Sequence, residues 1–247
     1  MREWVLDLHV HTILSPCASD DMVPPLVLSR VRQLGVEVIA ITDHNSAENV
    51  PAFMAKGKEM GIEILPGMEV QTREDIHMVC LFDTLEQVLD WQRIIYNHLP
   101  DLKNKKKSFG EQWVVDHEGN KLREVERLLL MGTDLTVEEV VRGVHHLGGL
   151  CIAAHIDRKA FSLWGSLGFI PDDLPIDGVE LTPHLSRDQA QLDQLKERSF
   201  YYLVSSDAHW LDGISPPQCF AAMESCTIKE LKLALLKKDG RHIRTIR

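Results

Sequence analysis

The sequence predicts an α/β protein built as a closed barrel, and three observations carry that prediction. Strand-like apolar runs alternate with helical patterns along the chain, which implies a parallel sheet. Most of these runs end at a histidine or a carboxylate, and in barrels of this kind active sites gather at the carboxyl ends of the strands. At 247 residues the chain is long enough to form one such domain, residues 1–247.

The first run, Trp4 to Leu8, leads into Asp7-Leu8-His9-Val10-His11-Thr12. Histidines at i and i+2 of an extended segment point to the same side and can grip one metal ion or two adjacent ones. A loop, Ser15 to Asp21, precedes a helix from about Pro24 to Leu34, with Pro24 and Pro25 at its start and Gly35 at its end. Val36 to Ile41 is an apolar strand ending at Thr42-Asp43-His44-Asn45. A helix from about Ser46 to Met60 stops at Gly61. Ile62 to Leu65 is a short strand running out at Pro66-Gly67-Met68-Glu69.

His77 to Phe82 is β-rich, with its histidine at the start. Either that strand runs the other way or a bulge intervenes. Thr84 and Gln87 form a capping box for a helix whose one face is Leu85, Val88, Leu89, Ile95 and Leu99. Residues 100–131 break the rhythm and read as an insertion. It contains the lysine run Lys103 to Lys107, an excursion from Phe109 to His117 with strand character, and a helix from Lys121 to Met131. The lysines suit a solvated loop, with a substrate-binding patch as the alternative.

Thr136 and Glu139 cap a further helix that ends at Gly148-Gly149. Leu150 to Ala154 is a buried strand ending at His155. Asp157 to Pro175 is a loop long enough to act as a lid. Asp177 to Leu181 is a strand followed by His184, for which site-facing and structural roles both fit. Ser186 to Gln189 caps a helix. Phe200 to Val204 is a strand ending at Ser205-Ser206-Asp207-Ala208-His209. Thr227 caps the last helix, to about Lys238, and a tail strand follows.

His9, His11, Asp20, His44, Glu69, His77, His155, Asp207 and His209 thus form a candidate ligand set. Imidazole with carboxylate suits Zn, Mn or Fe better than Ca or Mg. The set exceeds what one ion needs, so two or three divalent ions sharing bridging carboxylates is the economical reading. Such a cluster polarises a phosphoryl oxygen and lowers the pKa of bound water towards about 7. Asp43 fits an orienting role beside His44 or direct ligation. Cys17 is a further candidate donor.

Charge and cysteine content bound the partners. A formal net charge of -10 argues against nucleic-acid coating or membrane-surface binding. No run reaches the roughly 18 apolar residues of a transmembrane helix, and the N-terminus is not that of a secretory signal. Five scattered cysteines suggest reduced thiols in the cytoplasm.

Asp7-Leu8-His9-Val10-His11-Thr12, Ile41-Thr42-Asp43-His44, Ala153-Ala154-His155 and Ser206-Asp207-Ala208-His209 together resemble, in order, the four motifs of the PHP (polymerase and histidinol phosphatase) family. The resemblance implies a distorted (β/α)7 TIM-like barrel with a trinuclear metal site. It assigns His9, His11, Glu69 and Asp207 to one ion. Glu69, His77 and His155 fall to a second, and His44, His209 and Asp20 to a third. Arg158 is similar to an arginine that some members place near a substrate phosphate. One departure stands out: many members read Ser-Asp-Gly soon after the first motif. Here Ser19-Asp20-Asp21 comes later, after Ser15-Pro16-Cys17-Ala18, leaving Asp20, Asp21 and Cys17 as candidates for the third site.

The expected activity is that of a metal-dependent phosphoesterase. A metal-bound hydroxide would attack a small phosphomonoester or a nucleotide-type substrate, with a short oligonucleotide as the wider case. Asp207, His209 and Arg158 are the candidate catalytic residues. The alternatives are a metal-dependent C–N or lactone hydrolase of the same barrel class, and a non-catalytic metal-binding accessory module.

Overall fold

The computed structural model describes residues 1–183, 193, 195 and 202–246. His184 and the helix expected after Ser186 lie outside the described residues. Among those described, the strands are β1 (Arg2–Val10), β2 (Val38–Ile41), β3 (Glu63–Gln71), β4 (His77–Leu81), β5 (Trp113–Val115), β6 (Lys121–Glu124), β7 (Leu150–Ala153), β8 (Gly178–Leu181), β9 (Tyr202–Val204), β10 (Cys219–Met223) and β11 (His242–Thr245). The helices are α1 (Pro24–Gln33), α2 (Val50–Met60), α3 (Leu85–His98), α4 (Lys106–Phe109), α5 (Val137–His146), α6 (Leu163–Leu167) and α7 (Ile228–Leu235).

Nine of the strands form one sheet in the order β11-β10-β1-β2-β3-β4-β7-β8-β9. It curls into a nearly closed barrel, its edge strands β9 and β11 approaching each other. The run β1-β2-β3-β4-β7-β8-β9 is the seven-stranded frame that the resemblance implies. Its distortion has two sources. β4 runs antiparallel to both neighbours, β3 and β7. At the other end, β10 adds antiparallel to β1, and β11 to β10. Beyond the named strands, Val10 bridges Ala208 in parallel, and the His11 N–H donates to the Ala208 carbonyl at 3.0 Å. The barrel is therefore tied together at one end through the first and last motifs.

Two apolar clusters sandwich the sheet. On the outer face α1, α2, α3 and α5 pack Val27, Leu28, Phe53, Trp91, Ile95 and Val140 against the strands. The inner cluster joins Leu6, Leu8, Val38, Ala40, Leu65, Val79, Ile152 and Leu203 to Leu231 and Leu235 of α7. No described helix is long and apolar enough to cross a membrane.

Local chemistry accounts for most element boundaries. Thr84 and Gln87 cap α3 reciprocally, and Thr136 and Glu139 do so for α5. Gly61 ends α2 in the left-handed conformation, φ 72°. α2 begins at Val50 rather than Ser46, because Asn49 is committed elsewhere. Its amide donates to Thr12 Oγ1 and to the Trp113 carbonyl, and its Oδ1 accepts from the Val115 N–H.

The helix expected over Lys121 to Met131 is not formed. Lys121–Glu124 pairs instead as a hairpin with β5. Asp116 Oδ1 accepts from the Glu118 and Asn120 N–H groups, and Gly119 takes φ 86°, so a tight turn sends the chain back. The Gln112 side chain then holds the returning strand, donating to the Val125 and Arg127 carbonyls and accepting from the Leu129 N–H. The insertion seats Val114, Val125 and Leu129 on Leu14, and Val115 on Ile13, so it packs on the loop that follows the first motif. The expected loop from Asp157 to Pro175 contains the short α6.

Candidate metal centre

Six histidines and two carboxylates converge where the parallel strands end. The pairing of β1 with β2 shifts register between Asp7 and Val10, so that Leu8 and His9 both lie opposite Ala40. This bulge lets Leu8 join the inner apolar cluster while His9 and His11 turn to the site. His44 follows β2 and bridges Glu69 on β3. His77 starts β4, and because that strand is antiparallel its first residue reaches the same end as the others' last. His155 follows β7, and Asp207 and His209 follow β9. His155 (φ 27°) and Asp207 (φ 50°) adopt the left-handed backbone region, a strain commonly held at functional sites.

Glu69 is the hub. Its Oε1 lies 2.8 Å from His77 Nδ1, 3.2 Å from His155 Nε2 and 3.3 Å from His9 Nε2. Its Oε2 lies 2.9 Å from His44 Nδ1 and 3.4 Å from His11 Nε2. Asp207 Oδ1 is 3.2 Å from His9 Nε2 and 3.1 Å from His11 Nε2, and Arg158 holds its Oδ2 at 2.6 Å. His209 stacks on His11 with ring centroids 4.0 Å apart. His9, His11 and Glu69 present donor atoms mutually close enough for one ion, as do His44, Glu69 and His77, and His11, His44 and His209.

Glu69 Oε2, Asp207 Oδ1 and His155 Nδ1 are buried with no aligned hydrogen-bond partner. Buried polar atoms are seldom left so. Two carboxylate oxygens orphaned among inward-facing imidazole nitrogens are what divalent cations would satisfy, and the donor set suits Zn, Mn or Fe.

The protonation pattern points the same way. Burial alone would raise the Glu69 carboxyl, but His77, His9 and His44 hold it well below the usual carboxylate range. His9 and His11 do the same for Asp207 against the same penalty. Desolvation opposes charge on His9, yet Glu180, Asp207 and Glu69 raise it well above its ordinary value. His44 likewise rises to about 10 against desolvation, chiefly through Glu69. Desolvation, with His209 and His44 beside it, pushes His11 far down. Without cations, protons on particular imidazoles balance the two carboxylates.

A second ring of side chains orients the first. Glu180 Oε1 on β8 sits 2.9 Å from His9 Nδ1, which leaves Nε2 facing the cluster. Ser15 Oγ sits 2.9 Å from His11 Nδ1 and donates to Asp43 Oδ1 at 2.6 Å. Asp43 also accepts from the Thr12 N–H and hydroxyl, each at 2.7 Å. Asp43 therefore acts on the first motif and on His11, rather than on the neighbouring His44. Sequence reasoning passed over Glu180. The available signal was a glutamate, one residue before the end of an otherwise apolar buried strand.

Asp20 is not brought to the cluster. Its side chain is 80% exposed and lies 3.6 Å from Lys121 Nζ, and Asp21 accepts from the Ser19 hydroxyl. Cys17, the remaining candidate, is exposed. Partial desolvation would raise its thiol, but the imidazoles of His209 and His44 bring it down to about 7. The lysine run lies in the insertion, with Lys103 paired to Glu126 and Lys106 to Glu124.

A family model described as the PHP domain matches residues 7–163. The lesion-specific endonuclease Q of Pyrococcus furiosus superposes with a TM-score of 0.73 at 22% identity, over 98% of this chain and 58% of that one. A Bifidobacterium adolescentis protein to which metal-dependent phosphoesterase activity is ascribed gives 0.55 at 17% identity, over 87% and 90%. At these identities the likeness is one of fold. A 5′-3′ exoribonuclease of Haemophilus influenzae is 35% identical over 79 residues, 30% of this chain and 27% of that protein. The chain thus spans little more than half the endonuclease and about a quarter of the exoribonuclease.

Proposed function

Because the chain belongs to the PHP domain family, we propose that it is a metal-dependent phosphoric ester hydrolase whose ions are held by His9, His11, His44, Glu69, His77, His155, Asp207 and His209. The observation that carries this reading is Glu69, a buried carboxylate ringed by five imidazoles with one oxygen unsatisfied. We read residues 1–247 as one such domain. Bound divalent ions would supply Lewis-acid polarisation of a phosphoryl oxygen and a water made acidic enough to ionise near neutral pH.

The protein's own groups do the rest. Glu69 and Asp207 supply the negative charge that holds cations in a buried site. Glu180 and Ser15 fix the His9 and His11 rings so that a nitrogen of each faces inward. Arg158 spends one nitrogen on Asp207 and is 41% exposed, so its remaining N–H groups face a phosphate entering from solvent. His209 lies closer to solvent than His9 and His11, in reach of a leaving oxygen that needs a proton.

We assign the substrate to the nucleotide or short-oligonucleotide class of phosphoesters. The fold likeness to a DNA endonuclease and the partial identity to an exoribonuclease support that class over a simple phosphomonoester. The five cysteines, none in a disulfide, support a reducing, cytoplasmic setting. The test is hydrolysis of a phosphoester panel by metal-loaded protein, spanning p-nitrophenyl phosphate, nucleotides and end-labelled DNA and RNA oligomers. Chelator-reversible cleavage of an oligomer or nucleotide supports the assignment. Metal-loaded protein inert to every phosphoester would overturn it in favour of carbonyl hydrolysis.

A further inference from the structure

We infer that Phe161 is a base-stacking platform beside the metal centre, holding the nucleobase of a substrate whose phosphate meets Arg158. This rests on the nucleotide-class reading above and names the side chain that recognises the base.

Three observations carry it. First, the Phe161 ring lies over His77, with centroids 4.8 Å apart and planes at 21°. The residue is nevertheless 43% exposed, so apolar ring surface stays open to solvent at the edge of the histidine cluster. Second, its backbone is held at φ 56°, a left-handed conformation that bulky side chains rarely adopt. Such conformations persist only where the surrounding structure imposes them, and they gather at ligand clamps. Here the Phe161 carbonyl accepts from the His77 N–H at 3.0 Å, which fixes the residue to the start of β4. Third, the turn that carries Phe161 is tightly built. Ser162 and Leu163, which follow, are fully buried. Ser162 Oγ donates to the Arg158 carbonyl at 2.6 Å and accepts from the Gly165 N–H at 2.9 Å. A Cβ at Gly165 would run into the Lys159 carbonyl.

One turn therefore presents both the phosphate-facing Arg158 and, three residues on, an apolar ring. Cα atoms at that spacing are at most about 11 Å apart. A single nucleotide bridges such a span, with its phosphate at one end and its base at the other. A phenylalanine ring has no hydrogen-bonding group, so it reads the π-face common to every base and not the base edge. The site should prefer nucleotides to sugar phosphates while tolerating different bases.

The test is calorimetric titration of the metal-loaded full chain with two non-hydrolysable ligands, the 5′-methylenephosphonates of adenosine and of ribose. Wild type should bind the adenosine ligand about 5- to 150-fold more tightly, the range of one base–aromatic stack. Phe161→Leu should lose that preference while keeping its bound metal and its affinity for the ribose ligand, and Phe161→Trp should retain it. Equal affinity for the two ligands in wild type, or a preference that survives in Phe161→Leu, overturns the stacking role. Loss of bound metal in Phe161→Leu also overturns it, by assigning the ring to shielding His77. Neither ligand bound overturns the stacking role, and if the phosphoester panel above is also left uncut, the phosphoesterase reading falls with it.

Discussion

Glu180 Oε1 lies 2.9 Å from His9 Nδ1 and also accepts from the His155 N–H at 3.2 Å, so one buried carboxylate braces histidines from two strands. Orienting partners of this kind are typically worth about 10- to 100-fold in metal affinity. Glu180→Gln should therefore weaken metal binding by that order while keeping the fold, measured by competition with a chromophoric chelator. Unchanged affinity would mean that Glu180 serves packing alone.

Asp43 accepts three hydrogen bonds from Thr12 and Ser15 in full burial. Removing it orphans buried donors at about 1–3 kcal/mol each. Asp43→Ala should lower thermal stability by several degrees even in metal-free protein, read by calorimetry. Replacing an exposed residue of the loop that Asp43 braces, as in Asp20→Ala, should leave stability nearly unchanged.

Arg158 pairs with Asp207 at 2.6 Å from a half-exposed position. A charge-assisted contact to a phosphate is worth about 1.5–3 kcal/mol, so Arg158→Ala should cost roughly 10- to 100-fold in kcat/KM. Bound metal should stay at the wild-type level. Loss of metal together with activity would make Arg158 a structural support for Asp207.

Metal loading should release protons and strengthen as pH rises. In the metal-free protein His44 titrates at about 10 and His9 is raised as well, so both carry protons at neutral pH. A raised pKa means that the proton is held until pH climbs past it, and a cation must displace it below that point. Apparent affinity should rise about tenfold per pH unit for each proton displaced. Calorimetry in buffers of differing ionisation enthalpy counts those protons directly.

The parts of this site that were legible in the sequence are those fixed by short-range pattern. His9 and His11 announce themselves by their spacing at a strand end, and Asp207 and His209 by following the strand that ends at Val204. His77 was visible as a histidine at the wrong end of its strand. The pairing of β4 between β3 and β7 explains it, and that pairing is long-range. Asp20 failed because nothing local says which way a loop residue turns. Its side chain ends 80% exposed and 3.6 Å from Lys121, a contact a hundred residues on. Lys121–Glu124 was misread because an exposed hairpin strand and an exposed helix share a composition, although Gly119-Asn120 marked the turn. β10 was missed because Cys219–Met223 is too short to declare a period, and its pairing partner is the first strand of the chain.

Gly110 links the insertion to the site. At φ 97° it sits where an L side chain is strained, and a Cβ would strike Pro16. Gly110→Ala should displace the loop that follows the first motif, and a lower melting temperature by calorimetry is the expected outcome.

The most direct test of the account is hydrolysis of an end-labelled oligonucleotide by wild-type and Glu69→Gln protein, each with its bound metal measured on the same sample. The account predicts more than one equivalent of metal and chelator-sensitive cleavage in the wild type, with both lost in the variant. Full cleavage by Glu69→Gln, or by wild type stripped of metal, would contradict it.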